Sequence, residues 1–378
     1  MHLRRSDRSR KARESRQRRS SALFRPAFLQ TEFSASDRQR TMLVEPLEDR
    51  SMLAVLVVDP SNVADYSTIN LAMAAANNGD TIQVVAGTFS ENVNVNKSVT
   101  IEGAQHGVDA RGRSGAETIV TGVGNSGKTP FDITASDVTI DGFKIEGATN
   151  AAQFGFGAVV GAGTSGAHIL NDIFDNNIAG LSLANANPAD PAIVQHNVFA
   201  SNNQLGAFSG TGIYSDQFSA GGSLTNVQID GNNFTGNSDS GIDFSSTDAT
   251  KPATLVTISN NDFNGNGRGV VAFNLTSSSI TTNTFRNSTA SATADIRLFE
   301  GVNGLAITNN LLENGAGKAF RVSNAGTGSP DATNIAFNGN SISGYTGPAS
   351  LFQVDNYSGT LDARFNWWGT NNATSFPV

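Results

Sequence analysis

The side chains best suited to chemistry recur at one position. Seven short triplets, Leu181-Ser182-Leu183, Ile213-Tyr214-Ser215, Ile242-Asp243-Phe244, Val271-Ala272-Phe273, Ile296-Arg297-Leu298, Phe320-Arg321-Val322 and Phe352-Gln353-Val354, each carry a variable middle residue. Alternate side chains of a strand face opposite ways. The middles therefore form one outward set: Ser182, Tyr214, Asp243, Ala272, Arg297, Arg321 and Gln353. Within it, Tyr214, Asp243, Arg297 and Arg321 could hold a sugar or an acidic group, and Arg can stabilise developing negative charge. An ordinary solvated sheet carries the same residue types, so these four are expected to bind substrate and no catalytic residue is named. Arg297 above Arg321 would be unfavourable unless an anion or a carboxylate sits nearby.

Such a column needs strands that stack, and a repeat supplies them. An apolar residue, an Asn three positions on and a bulky apolar residue two beyond that recur as Val194-Asn197-Phe199, Ile229-Asn232-Phe234, Ile258-Asn261-Phe263, Ile280-Asn283-Phe285, Ile307-Asn310-Leu312, Phe337-Asn340-Ile342 and Ala363-Asn366-Trp368. Ile169-Asp172-Phe174 and Ile140-Phe143-Ile145 are weaker copies. Bulky positions 145, 174, 199, 234, 263, 285, 312, 342 and 368 are 22 to 35 residues apart, the mark of a solenoid. The segments are too short, too β-branched and too rich in Asn and Gly for helical repeats. Stacked β-coils fit. The recurrent Asn is expected at a tight corner, where it tolerates left-handed backbone and can bond along its own column. The recurrent Phe is expected to point inward.

This pattern resembles the right-handed parallel β-helix of the pectin-lyase-like superfamily, with repeats similar to those of carbohydrate-binding, sugar-hydrolase and NosD-like proteins. The resemblance covers about residues 55–378 and implies an all-β, single-stranded right-handed parallel β-helix. It does not imply one reaction. The paired carboxylate motifs of polygalacturonase-like enzymes and the Gln-Asp and Asp-Phe-Ile-Phe-Gly blocks of pectinesterase-like enzymes are absent.

Positioning elements flank the repeats. Residues 67–80 read as a short N-terminal capping helix, started by Asp65 or Ser67, burying Ile69, Ala72, Met73 and Ala76, and ended by Gly79. Residues 104–130 read as loops projecting from early coils. Arg364-Phe365-Asn366-Trp367-Trp368-Gly369 closes the last coil, with Trp368 on the inward column. Residues 1–40 are an Arg-rich stretch without apolar periodicity, expected as a basic disordered leader. Residues 41–54, containing Val44-Glu45-Pro46-Leu47-Glu48-Asp49-Arg50-Ser51-Met52-Leu53-Ala54, resemble the LEPR-XLL-type motif of exported bacterial surface proteins. The resemblance implies a secreted or cell-surface protein.

Composition narrows the partners. The net charge of −8 divides into +6 over residues 1–54 (13 basic, 7 acidic) and −14 over residues 55–378 (12 basic, 26 acidic). An acidic solenoid lacks the clustered cations that nucleic acid requires, and it disfavours polyanions unless a divalent cation bridges the charges. With no cysteine, disulfides and thiol chemistry are excluded. His2, His106, His168 and His196 form no metal-ligand set, and no acidic nonapeptide repeat implies bound Ca2+, so no cofactor is expected. No apolar run is long enough for a transmembrane span. The expected function is a non-catalytic exported β-helix that binds a polysaccharide or cell-envelope glycan, or serves adhesion. The alternative is a polysaccharide lyase or glycoside hydrolase.

Overall fold

The computed structural model describes residues 53–61, 65–345, 351–355 and 357–369. The expected leader, and all of the export-like motif except Leu53 and Ala54, lie outside the described residues. Strands run from Val55–Val58 to Phe352–Val354 and stack in three parallel sheets of 11, 10 and 10 strands. A typical coil passes from the first sheet (Ala253–Ser259) to the second (Asp262–Asn264) and then to the third (Arg268–Ala272). Two sheets per coil are plain in the pattern. The third is the surprise, because the single Phe after each Asn is the centre of its own three-residue strand.

The register bears out both columns. Ile145, Phe174, Phe199, Phe234, Phe263, Phe285, Leu312 and Ile342 are successive partners in the second sheet. The rings from Phe174 to Phe285 stack at centroid separations of 4.8, 5.0, 4.7 and 4.6 Å. Each buried ring contributes about 1.5–3 kcal/mol. Opposite them, the third sheet offers glycines, because the rings need that space. A Cβ on Gly212 would lie 2.9 Å from Phe234 Cδ1, and one on Gly241 would lie 2.5 Å from Phe263 Cδ1.

The Asn column forms a ladder at the corner between the first and second sheets. Asn261 Oδ1 accepts from Asn232 N (2.8 Å) and Asn232 Nδ2 (2.9 Å), while Asn261 Nδ2 donates to Asn283 Oδ1 (3.0 Å) and to the Ile229 carbonyl (2.9 Å). The same bonds recur from Asn197 to Asn366. The ladder Asn are not the left-handed residues, however. That conformation belongs to the residue just before, such as His196, Gly231, Asn260, Thr282 and Asn309. A second ladder, Asn177, Asn202, Asn237 and Asn266, lines the next corner.

The helix is shorter than its pattern, Ile69–Ala75, and it buries Ile69, Ala72 and Met73, with Ala76 just beyond its end also buried. Its cap is Thr68, whose hydroxyl accepts from Leu71 N at 3.2 Å, and not Asp65 or Ser67. Gly79 follows with φ +91°. Residues 104–117 do not project. They fold back over the neighbouring coils, where Ala110 N donates to the His196 carbonyl (3.1 Å) and Arg113, paired with Glu117 (2.9 Å), donates to the Phe143 carbonyl (3.0 Å). Residues 118–121 form a strand. Trp368 packs against the core beside Phe337 and Phe352. Among the described residues no helix is long and apolar enough to cross a membrane.

Candidate functional site

The third sheet carries the expected column with one slip of register. Ser182, Tyr214, Asp243, Val271, Arg297, Arg321 and Gln353 are successive partners. Val271 holds the place expected for Ala272, which turns inward between Phe244 and Leu298. Nor is this an open, solvated face. Tyr214 is 7% exposed and Arg297 6%, packed against the rings of Phe208 and Phe299 in the loops beside the sheet.

Around Tyr214 these loops deliver aromatic rings. Phe208 lies 4.2 Å from Tyr214 and 5.8 Å from Phe156, and Phe154 lies 5.7 Å from Phe208. Phe154 and Phe208 both have left-handed backbone, at φ +61° and +62°. Phe218 stands on the far side, 78% exposed. Together with Asp216 these groups line a cavity of ≈ 300 Å³. Asp216 is fixed there: Oδ1 accepts from Phe218 N (2.9 Å) and Ser219 N (2.7 Å), and Oδ2 accepts from the Tyr214 hydroxyl (2.9 Å). Burial, reinforced by Asp216, raises the Tyr214 pKa, so the phenol remains a neutral donor.

One rung along, Asp243 accepts a hydrogen bond from Ser245 Oγ. Burial pushes its carboxyl up to about 6; the Ser245 bond and Arg268 oppose the rise, while Asp239 and Asp216 add to it. Arg268 itself is paired with Asp239. Beyond Val271, Arg297 Nη1 donates to the Leu298 carbonyl (2.6 Å), Nη2 donates to Ser323 Oγ, and the guanidinium lies 3.7 Å over the Phe299 ring. Arg321 is half-buried on the next rung.

The four residues expected from sequence therefore share one column but form two groups, Tyr214 with Asp243 and Arg297 with Arg321. Sequence reasoning missed Phe154, Phe156, Phe208, Asp216 and Phe218. Only Asp216 and Phe218 carried a signal, as the polar and aromatic residues directly after the Tyr214 strand. The outer face of the first sheet is blander. Thr139, Gln228, Thr257, Ala306 and Asp362 lie there as expected, and a polar groove passes Gln195, Gln228 and Asp230. Among the described residues no group of three or more His, Cys, Asp or Glu side chains is placed to hold a metal ion.

A family model described as a right handed beta helix region matches residues 84–254. No curated protein matches the chain. Among solved structures, the chain is similar to the catalytic unit of the thermostable GH87 alpha-1,3-glucanase from Streptomyces thermodiastaticus strain HF3-3 (13% identity, 82% of this chain and 67% of that chain, TM-score 0.52). It is also similar to the DFA-IIIase from Arthrobacter chlorophenolicus A6, without its lid and in complex with GF2 (14% identity, 86% and 96%, TM-score 0.51). At these identities the likeness is one of fold, a right-handed parallel β-helix.

Proposed function

We propose that this protein is an exported glycan-binding β-helix whose binding site is the outer face of the third sheet. The observation that carries the reading is the cavity floored by Phe156, Phe208 and Tyr214, with Phe154 and Phe218 at its lip and Asp216 beside them. Aromatic faces offer flat apolar area to a sugar ring, and a fixed carboxylate accepts from its hydroxyls. The basic N-terminal stretch and its export-like motif support a location outside the cytoplasm. Titrating a panel of polysaccharides against the wild-type chain and Phe218→Ala tests the site. Phe218 is exposed, so its removal spares the core. Affinity for a bound glycan should fall about tenfold, the equivalent of about 1.4 kcal/mol; unchanged affinity contradicts the assignment.

One observation favours a second reading, cleavage of the bound glycan. Asp243 adjoins Tyr214 and holds its proton up to a pH of about 6, as a general acid at a glycosidic oxygen must. A fold relative named as an alpha-1,3-glucanase supports the same direction. Release of reducing ends should then decline as pH rises through about 6, and Asp243→Asn should abolish it while binding persists. Turnover undiminished in Asp243→Asn removes this reading and leaves binding alone.

A further inference from the structure

Arg297 and Arg321 are direct partners in the third sheet, so their backbones are one strand spacing apart, ~4.8 Å. Both side chains leave the same face, because Ile296, Leu298, Phe320 and Val322 fill the interior. Like charges at that spacing repel, and proteins usually relieve them with carboxylates. Here the nearby carboxylates bond other groups, and Glu300 and Asp355 act on Arg297 only through their charge, without a direct ion pair. Glu300 accepts from Ala325 N (2.6 Å), Thr327 N (2.8 Å) and Thr327 Oγ1 (2.7 Å). Asp355 accepts from Gln353 Nε2 (2.6 Å), and Asp239 takes Arg268. Among the described residues no ion pair includes Arg297 or Arg321.

What holds Arg297 is neutral: a carbonyl, a hydroxyl and the face of Phe299. Burial, with Arg321 and Arg268 adding to it, lowers its pKa to about 10, and the charges of Asp355 and Glu300 oppose the fall only in part. Arg321 Nε is buried without a hydrogen-bond partner. Leaving a buried donor unpaired costs about 1–3 kcal/mol, and a second cation one rung away adds to that. Two guanidiniums held on one face with donors to spare match the oxygens of a carboxylate or a sulfate.

We propose that Arg297 and Arg321 form an anion subsite of the same groove, which makes the preferred ligand an acidic glycan bearing a carboxylate or a sulfate ester. The inference rests on the glycan-binding reading and deepens it. On the shared column, Arg297 is three rungs from Tyr214, ~14 Å. One chain lying along the sheet could therefore meet the aromatic floor and the Arg pair together. The charge of −14 over residues 55–378 opposes nonspecific attraction of polyanions, so the preference arises at these two residues.

The test compares a neutral glucan with its carboxylated and its sulfated derivatives, against wild type, Arg321→Gln and Phe218→Ala. Wild type should bind one charged form at least about tenfold more tightly than the neutral form, as charge-assisted bonds of about 1.5–3 kcal/mol allow. The better of the two derivatives identifies the anion. In Arg321→Gln the preference for the charged form should vanish, whereas Phe218→Ala should weaken all three alike and keep the preference. Equal affinity for all three forms in wild type, or a preference that survives Arg321→Gln, overturns the anion subsite and leaves glycan binding standing. If no glycan binds, glycan binding itself fails, and inorganic sulfate decides the subsite. Millimolar sulfate should raise the Tm of wild type above that of Arg321→Gln, and an equal rise in both overturns it. If Arg321→Gln does not fold, Arg321→Lys replaces it. Lys keeps the charge but lacks the planar fork, so it should retain only part of the gain; a full gain overturns the subsite.

Discussion

Asn261 shows what one side chain of the ladder accomplishes. Its carbonyl oxygen satisfies two donors of Asn232, and its amide reaches both Asn283 and the Ile229 carbonyl. Asn261→Ala strands the buried Asn232 N–H. The expected loss is about 2–4 kcal/mol in urea denaturation. Asp295 sets a second residue-scale expectation. It is 2% exposed, and burial pushes it up to about 6, although the Tyr345 hydroxyl bonds to it and opposes the rise. The folded chain thus keeps a proton that the unfolded chain releases near pH 4. The Asp295 contribution to stability should be greatest below about pH 4, fall between about 4 and 6, and level off above. Asp295→Asn should flatten that fall by up to about 3 kcal/mol, read from denaturation midpoints at pH 4.5 and 7; an unchanged slope contradicts the assignment.

Among the elements, the N-terminal helix is the most exposed to failure, since seven residues cannot hold a helix alone. Its ends are clamped by charge. Glu91 accepts from Ile69 N and Asn70 N, both at 3.0 Å, and Lys97 Nζ donates to the carbonyls of Met73 (2.8 Å) and Ala76 (2.6 Å). Both placements follow the helix dipole. Lys97→Met should speed amide exchange in Val55–Val58 and Thr81–Val84 while leaving Ala253–Ser259 unchanged; uniform exchange would show that the helix seals nothing. The sequence disclosed the buried face of this helix, because the 3.6-residue period survives in Ile69, Ala72, Met73 and Ala76. It did not disclose the cap, because Asp65, Ser67 and Thr68 are all competent to bond the first turn. The same contrast holds elsewhere. The first Asn ladder was legible from its constant offset, and the second, three residues after Phe174, Phe199, Phe234 and Phe263, carried a shorter run of the same kind of signal. The slip at Val271 arose because Val270-Val271-Ala272-Phe273 has no polar residue to mark which side faces out. The aromatic cavity was hidden for a different reason. Phe154, Phe208 and Phe218 sit in loops of unequal length, outside any period, and only the stacking of coils assembles them.

At the scale of the whole molecule, each coil contacts its neighbours along the stack, and function rests on which outer face the loops enclose. The first sheet presents Thr, Gln and Asp along a polar groove, while on the third, loop-borne rings and a carboxylate meet a strand column carrying two guanidiniums that form no ion pair among the described residues. It is this third face that is expected to take a glycan chain. Hydrogen–deuterium exchange with a saturating bound polysaccharide tests it most directly. Exchange should slow across residues 205–219, 240–244 and 294–298, with no slowing at 226–230 or 257–259. Protection confined to the first-sheet segments, or absent from both faces while the glycan is bound, would contradict it.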